Sequence, residues 1–433
     1  MRSQRLTSYI VLAMLLGIAV GALINTLVAD PQTVKAIAGY INLLTDVFLR
    51  LIKMIIAPLV FATLVAGIGH MGDSGAVGRI GAKAMAWFIA ASLVSLLLGL
   101  VMVNLLKPGV GLNLPLPDPG AATNLKTGAL TLKEFVTHLV PRSLFEAMAN
   151  NEILQIIVFA VFFGVAAGAV DKKQIVIGWV EALAQIMLRI TDYVMRFAPV
   201  AVFAAMASIV ATQGLGIILT YGTFMAEFYL SIAVLWVVLC AMGFLVLGAT
   251  LFKVLRLVKD PILLAFSTAS SEAAYPRTME ELKKLPISER IIGFVLPLGY
   301  SFNLDGSMMY CTFAALFIAQ AYGIDLSFGQ QATMLLILMV TSKGIAGVPR
   351  ASLVVIAATL PTFNIPEAGL LLIMGIDQFL DMARSATNVV GNSIATAVVA
   401  RWEGELGSDA QLAQDEDDSP ALVREARARG VAD

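Results

Sequence analysis

The sequence predicts an all-α membrane protein, and three observations carry this prediction. Of the 433 residues, 59% are hydrophobic and only 14% are charged, whereas a soluble domain carries about a quarter charged residues. Several apolar runs, such as residues 9–28, reach the roughly 20 residues that a helix needs to cross a bilayer. Two further apolar segments are interrupted midway by small polar residues and proline. We expect eight transmembrane helices and two re-entrant helical hairpins.

Six of the expected transmembrane helices are continuous apolar segments in the first part of the chain. Their hydrophobic runs lie at about 8–28, 41–69, 84–106, 153–170, 178–211 and 223–252. The first run is too long for a signal peptide. Arg2 and Arg5 precede it, and positively charged flanks stay in the cytoplasm. An even number of spans then places both termini of the chain in the cytoplasm.

The two interrupted segments predict the hairpins. Each is a short apolar arm, a tip of small residues with proline, and a second arm, at residues 262–284 and 334–360. Irregular backbone at membrane depth is tolerated only where protein or a water-filled cavity surrounds it. Ordinary loops between short helices are the alternative interpretation. A longer helix with polar residues follows each segment, at 291–320 and 367–402. Paired interruptions of this kind indicate a transporter's substrate site near the bilayer midplane.

The second long helix carries a stripe of polar side chains. Asp377, Asp381, Arg384, Asn388 and Asn392 are separated by steps of four, three, four and four residues, which puts them on one helix face. In lipid, each charge at the bilayer centre would cost about 2.5–3.5 kcal/mol. We therefore expect the stripe to face a solvated cavity. Polar contact between helices is the alternative, and it stabilises by only about 0.6 kcal/mol per contact on average.

The chemistry of the stripe favours an anionic substrate. Arg384 offers bidentate hydrogen bonding to a carboxylate and stays charged at any working pH. Asp381 could pair with Arg384 or bind an ammonium group, and Asn388 can donate to a second carboxylate. A zwitterion with an additional acid group, such as glutamate or aspartate, would satisfy all three side chains. No cofactor or nucleic-acid partner is expected. Cys240 and Cys311 both lie in apolar runs, which disfavours a disulfide framework or a cysteine metal site.

Four motifs carry a resemblance to a known family. Residues 267–279 (STASSEAAYPRTM), 300–307 (YSFNLDGS), 342–349 (SKGIAGVP) and 375–392 (GIDQFLDMARSATNVVGN) occur in this order. Together they resemble the dicarboxylate/amino acid:cation symporters, the glutamate transporter family, and most of all its bacterial proton-coupled glutamate/aspartate carriers. The resemblance covers nearly the whole chain.

The resemblance implies a role for each matching residue. Arg384, helped by Ser307, would hold the side-chain carboxylate of the substrate, Asp381 its amino group, and Asn388 its main-chain carboxylate. The two hairpin tips would complete the pocket with Ser270, Ser271, Gly347 and Val348. It further implies inverted repeats, a homotrimer in the bacterial inner membrane, and an elevator motion in which a transport unit slides against a scaffold.

The same resemblance implies a division of the chain. Residues 1–258 would be mainly scaffold and trimerisation spans, although the third and sixth spans would belong to the transport unit. Residues 259–403 would form the transport core with both hairpins. Residues 404–433 are highly charged and would be a disordered cytoplasmic tail.

Two departures from sodium-coupled relatives favour protons as the coupling ion. Leu304 and Asn392 stand where those relatives have methionine and aspartate, and a hard cation prefers anionic oxygen ligands. Phe88 and Ala91 likewise replace polar residues of the third span. We expect the coupling site to involve Asn303, Asp305, Glu272 and Asn392. Sodium coupling remains the alternative. Animal relatives carry a glutamate where this chain has Cys311, so that proton carrier is absent.

Asp381 also bears on the choice of substrate. C4-dicarboxylates such as succinate have no amine to pair with it, so this residue favours acidic amino acids, with dicarboxylates as the alternative. An enzyme is not expected. An intramembrane aspartyl protease needs two carboxylates sharing a proton, and Arg384 beside Asp381 competes with that arrangement. A simple anion channel is also disfavoured, because two re-entrant hairpins suit the gating of an occluded site.

Overall fold

The computed structural model describes residues 2–71, 74–110, 116–117, 137, 139–171, 173–214, 221–342 and 351–407. Within these ranges the regular structure is helical. Ile287 and Leu406 additionally form an isolated antiparallel β-bridge. The predicted all-α class is confirmed for this part of the chain.

The described helices are numbered in chain order. Those of the N-terminal part are α1 (Arg2–Leu27), α2 (Pro31–Met71), α3 (Ser74–Leu106), α4 (Leu144–Ala149), α5 (Ile153–Ala169), α6 (Lys173–Met195), α7 (Ala198–Gln213), α8 (Gly222–Leu247) and α9 (Thr250–Leu257). Those of the C-terminal part are α10 (Lys259–Thr268), α11 (Ser271–Leu282), α12 (Glu289–Phe302), α13 (Asp305–Ala321), α14 (Phe328–Thr341), α15 (Ala351–Thr359), α16 (Leu371–Met374) and α17 (Asp377–Glu403). Two short 3₁₀ helices, Leu360–Phe363 and Glu367–Leu370, precede α16.

Six described segments are long and apolar enough to cross a membrane. They are Ser8–Leu27, Pro31–Gly69, Gly75–Leu106, Lys173–Met195, Gly222–Leu247 and Glu289–Ala321. Helix α2 has 41 residues, which is about 60 Å at 1.5 Å per residue and far exceeds the roughly 30 Å hydrocarbon core. It therefore continues beyond the apolar run on which the predicted span at 41–69 was based. The chain is a multi-pass membrane protein.

One predicted span, at 178–211, is divided in the structure. Helix α6 ends at Met195, and the N–H groups of Arg196 and Phe197 bond to carbonyls three residues back instead of four. Pro199 then lies in the first turn of α7. Proline has no N–H to donate and is well suited to a helix start, so the continuous apolar run contains a helix boundary that hydropathy does not reveal.

The helices pack into two groups. One group comprises α1, α2, α5, α6 and α7, with the most extensive contact between α1 and α7. In the other group, α3 packs chiefly on α13, while α8 and α10 pack on α17. The two groups meet mainly where α2 lies along α12. Helices α3 and α8 thus belong by contact with the C-terminal part of the chain, although they precede residue 259.

The first predicted hairpin is formed by α10 and α11. The turn between them uses Ala269, which has a left-handed φ of 48°, and Ser270, whose hydroxyl accepts a hydrogen bond from the Ala273 N–H at 3.2 Å. The sequence pattern placed Pro276 in the tip, but the structure places it inside α11. The Ser270 cap starts the second arm before the proline is reached. For the second hairpin, α14 and α15 are its arms, and its tip at 343–350 lies outside the described residues.

The two long helices that follow the hairpins are both interrupted. The segment predicted at 291–320 consists of α12 and α13, separated at Asn303 and Leu304, so Asp305 is the first residue of α13. The segment predicted at 367–402 consists of 3₁₀ turns, the short α16 and then α17. Helix α17 is buried along most of its length, as a helix surrounded by protein on all sides must be.

Residues 402–407, the C-terminal clasp, tie the end of α17 to two other elements. The Glu403 carboxylate, with 2% of its side chain exposed, bonds Arg79 at 2.9 Å and Lys83 at 2.6 Å, both on α3. The Glu405 carboxylate accepts a hydrogen bond from Arg290 Nε at 2.7 Å. The bridge between Leu406 and Ile287 extends this connection along the segment that precedes α12. The clasp fixes α17 to α3 and α12 at one end of the molecule.

Candidate functional site

The polar stripe of α17 lies in the interior of the second helix group. Asp377, Arg384, Asn388 and Asn392 are each at most 3% exposed. Asp381 is the exception, with 31% of its side chain exposed. Tyr229 and Trp236 of α8 fix the helix from one side, by donating to the Phe379 carbonyl at 2.7 Å and to the Thr387 hydroxyl at 2.8 Å. The charged side chains are thus enclosed by protein.

Arg384 is held by two carboxylates and an aromatic ring. Its Nη2 lies 3.2 Å from Asp377 Oδ1 and 3.1 Å from Asp381 Oδ1. Its Cζ lies 4.0 Å from the ring centroid of Tyr310, a distance at which a guanidinium gains from a cation–π contact. The Tyr310 hydroxyl donates to Asp377 Oδ1 at 3.0 Å. The guanidinium is therefore fixed in plane and position.

Part of the hydrogen-bonding capacity of Arg384 is unused. Its Nε and Nη1 atoms are buried and have no partner among the described residues. A guanidinium has five N–H donors in a planar fork, and these two nitrogens hold three of them. A buried donor without a partner costs free energy, so Nε and Nη1 each favour an incoming acceptor. They lie on different edges of the guanidinium, and each of these edges is shared with Nη2. A carboxylate matches the charge and shape of the guanidinium.

Asp381 is the part of this group that can move. Its carboxylate pairs with Arg384 and also accepts from the Ser385 hydroxyl at 3.3 Å. The internal pairing that the sequence left open is therefore present in this structure. Because about a third of the side chain is exposed, a rotation can carry the carboxylate towards a bound cationic group. Within α17 the site thus offers an anion receptor and, three residues away, a cation receptor.

Asn388 connects α17 to the break before α13. Its Oδ1 accepts from the Gly306 N–H at 3.0 Å, and its Nδ2 donates to Ser307 Oγ at 3.3 Å. The close approach requires a glycine, since a Cβ on Gly306 would lie 2.5 Å from the Arg384 carbonyl oxygen. Ser307 and Asn388 are therefore in contact, beside the backbone of Arg384. One Nδ2 hydrogen of Asn388 stays available for a ligand.

A second polar cluster lies deeper, at the start of α13. Asn303 Nδ2 donates to Asp305 Oδ2 at 3.0 Å and to Asn392 Oδ1 at 3.2 Å, while Ser95 of α3 donates to Asp305 Oδ1 at 3.3 Å. Asn303 and Asp305 have no exposed surface. Two polar atoms here, Asn303 Oδ1 and Asn392 Nδ2, have no partner among the described residues. Three of the four predicted coupling residues are thus neighbours.

The fourth, Glu272, is half-buried at the start of α11 and lines a cleft between the two helix groups. The cleft is lined by α2, α5, α11 and α12, through Ile56, Val60, Ile153, Glu272, Tyr275, Pro297 and Tyr300. Ser270 caps α11, and Ser271 beside it is buried. The first hairpin therefore presents its two serines at the turn and its acid towards the other helix group.

Some predicted residues lie outside the described structure, and some important contacts escaped sequence reasoning. Gly347 and Val348 of the second tip are predicted site residues that lie outside the described residues. The contacts that sequence reasoning missed come from other helices: Tyr310 with Asp377, Ser95 with Asp305, and Trp236 with Thr387. Tyr310 lies three residues after Ser307 on α13, about one helical turn along, and that spacing is the signal that could have placed it near the stripe.

Comparison with known proteins agrees with this architecture. Residues 6–402 match the sodium:dicarboxylate symporter family. A "Proton/sodium-glutamate symport protein" of Bacillus caldotenax is 38% identical over 420 residues, covering 94% of this chain and 97% of the relative. A "C4-dicarboxylate transport protein" of Anaeromyxobacter sp. (strain K) is 40% identical over 409 residues, covering 93% and 92%. Another of that description, from Citrifermentans bemidjiense, is 39% identical over 416 residues, covering 94% and 93%. Since the family model matches residues 6–402 and the relatives are aligned over more than nine-tenths of their length, the chain belongs to the sodium:dicarboxylate symporter family.

Proposed function

We propose that this chain is a secondary active symporter that imports acidic amino acids, glutamate or aspartate, together with protons. The observation that carries the proposal is the state of Arg384. It is buried and charged, it has hydrogen-bond donors without partners among the described residues, and it lies beside a partly exposed aspartate. A substrate with a carboxylate at one end and an ammonium group nearby satisfies both.

The residues of the pocket support a specific orientation of the substrate. The side-chain carboxylate binds Arg384, with Ser307 as a second donor. The ammonium group draws Asp381 away from Arg384, and the main-chain carboxylate takes the remaining Nδ2 hydrogen of Asn388. Backbone and hydroxyl groups of the hairpin tips, at Ser270, Ser271, Gly347 and Val348, close the pocket.

C4-dicarboxylate transport is the second candidate, and the names of the relatives favour it as directly as glutamate transport. Asp381 decides between the two in this proposal. A second substrate carboxylate placed near Asp381 would bring like charges together in a partly buried site, where the repulsion is larger than in water. An ammonium group at the same place gains a charge-assisted hydrogen bond.

Protons are the proposed coupling ion because the deep cluster lacks one of the anionic ligands that sodium prefers. Asn392 supplies an amide where sodium-coupled relatives have an acid, and its Oδ1 is already bonded to Asn303. Asp305 is fully buried, and Glu272 faces an apolar cleft between the helix groups. Both carboxyl groups are therefore the proposed candidates for the proton carrier.

The two helix groups supply the parts of an elevator. In this proposal α1, α2, α5, α6 and α7 are the scaffold, and the group that contains α3, α8 and residues 259–403 is the transport unit. The contact between them, along α2 and α12, is the sliding surface. The protein works as a homotrimer in a bacterial inner membrane with both termini in the cytoplasm, and residues 404–433 are its cytoplasmic tail.

Uptake into proteoliposomes tests the proposal. Purified protein is reconstituted, and uptake of labelled glutamate, aspartate, succinate and serine is followed under an imposed pH gradient, with and without a sodium gradient. We expect saturable uptake of the acidic amino acids with the pH gradient alone. Uptake that requires sodium would contradict the coupling ion, and uptake of succinate without glutamate would establish the second candidate instead.

A further inference from the structure

The two carboxylates that share Nη2 of Arg384 are not equivalent. The side chain of Asp377 is 4% exposed, whereas that of Asp381 is 31% exposed. Asp377 receives a second hydrogen bond from the Tyr310 hydroxyl at 3.0 Å, and Asp381 receives one from Ser385 on its own helix. Asp377 is thus tied to another helix and enclosed, while Asp381 is free to rotate.

Tyr310 strengthens this difference because it contacts both members of the Arg384–Asp377 pair. Its ring faces the guanidinium at 4.0 Å, and its hydroxyl donates to the carboxylate. Asp377 is also the first residue of α17, and a carboxylate is favoured at a helix N-terminus. Arg384, Asp377 and Tyr310 form a closed arrangement that can persist when Asp381 moves.

The charges explain why a second carboxylate is useful. With both aspartates ionised, two negative groups face one guanidinium, so one negative charge is in excess. If Asp377 were absent, Arg384 would have Asp381 as its carboxylate partner, and separating a buried ion pair is costly because it leaves an uncompensated charge. With Asp377 in place, Asp381 can move away while Arg384 keeps a carboxylate partner.

We propose that Asp377 is the permanent counterion of Arg384 and thereby a specificity-determining residue, because it releases Asp381 to bind the ammonium group of an amino acid. The inference rests on the proposed function. Asp377 is a positioning residue in this scheme and does not touch the substrate. Amine-free dicarboxylates do not use Asp381, so they gain nothing from its release.

The test is the variant Asp377→Asn, purified and assayed by competition against labelled substrate with glutamate and with succinate. An amide oxygen still accepts from Tyr310 and Arg384, so the change removes mainly the charge. We expect the inhibition constant of glutamate to rise about tenfold relative to that of succinate, the size of one lost charge-assisted hydrogen bond. An equal rise for both ligands indicates a merely structural role and overturns the inference, as does an unchanged ratio.

A double variant provides the second readout. In Asp381→Asn the ammonium receptor is already weakened, so adding Asp377→Asn should not shift the glutamate-to-succinate ratio further, since the two residues act through one contact. Additive shifts would overturn the inference. Should Asp377→Asn fail to fold, Tyr310→Phe is the alternative variant. It leaves the charge of Asp377 in place but removes the hydrogen bond from the Tyr310 hydroxyl that holds this carboxylate, and we expect a smaller shift of the glutamate-to-succinate ratio in the same direction. An unchanged ratio in that variant also counts against the inference.

Tyr229→Phe is the matched control. Its hydroxyl donates to the Phe379 backbone carbonyl at 2.7 Å instead of to the Arg384–Asp377 pair, so the ratio should stay at the wild-type value. The outcomes separate the two proposals. If wild-type protein binds glutamate through Arg384 but Asp377→Asn leaves the ratio unchanged, the role of Asp377 alone is wrong. If wild-type protein does not bind glutamate, both proposals are wrong.

Discussion

Replacement of Arg384 by alanine is the most direct test of the pocket. In the structure Nη1 is without a partner among the described residues, so a substrate carboxylate can accept one hydrogen bond from Nη1 and, once Asp381 has turned away, a second one from Nη2. Each charge-assisted hydrogen bond contributes about 1.5–3 kcal/mol, so their loss amounts to about 3–6 kcal/mol. That range corresponds to a rise in the Kd of glutamate by about two to four orders of magnitude.

The assay is calorimetric binding of glutamate, succinate and serine to purified Arg384→Ala protein. Serine has no side-chain carboxylate, so its Kd should change by less than about threefold. A change of that size is smaller than the tenfold change that about 1.4 kcal/mol represents. Arg79→Ala is the control, because this arginine has 57% of its side chain exposed and shares Glu403 with Lys83. Glutamate affinity equal to wild type in Arg384→Ala would refute the assigned role of the guanidinium.

Three further predictions concern neighbouring features. Asp381→Ala should weaken glutamate binding about tenfold or more, because one charge-assisted contact to the ammonium group is lost, while succinate binding is maintained. Competition assays with both ligands check this, and equal losses of affinity for the two ligands would contradict it. Gly306→Ala should lower the free energy of unfolding by about 1–3 kcal/mol, because its Cβ would meet the Arg384 carbonyl oxygen; thermal unfolding checks this, with Gly329→Ala as the control, since a Cβ there meets nothing within 4 Å. Burial of Glu405 opposes its ionisation, but hydrogen bonds from Arg290 and Ser288 outweigh the effect of burial and keep the pKa of Glu405 below its ordinary value. The contribution of the Glu405 carboxylate to stability is therefore present at neutral pH and is lost as the pH falls through that lowered pKa. Between about pH 5 and pH 3, wild-type protein should lose more stability than Glu405→Gln. Parallel pH profiles of the two proteins would show that the clasp carboxylate makes no such contribution.

The order of the membrane segments and the α17 stripe followed directly from sequence patterns. Charge is so costly in lipid that Asp377, Asp381 and Arg384 within one apolar region require an enclosed, polar side of the helix. The first hairpin could be predicted for a similar reason, since residues 262–267 are too few to cross. These features depend on local composition and helical period, which a single sequence contains.

Other features depend on contacts between distant segments and could not be predicted in this way. The pairing of Asp377 with Tyr310 joins residues 67 positions apart, and nothing local to either indicates the other. The division of residues 178–211 into α6 and α7 is set by a single proline within an apolar run. The position of Pro276 inside α11 depends on the Ser270 cap, because the tip sequence is compatible with more than one turn.

The C-terminal clasp has a practical consequence for measuring motion. Because Glu403 and Glu405 fasten residues 402–407 to α3 and α12, a spectroscopic label placed on this segment would report the position of the helix group that contains α17. A second label at exposed Trp179 on α6 would mark the other group. The separation between the two labels would then give a direct readout of displacement between the groups, with the ligand pocket left unaltered.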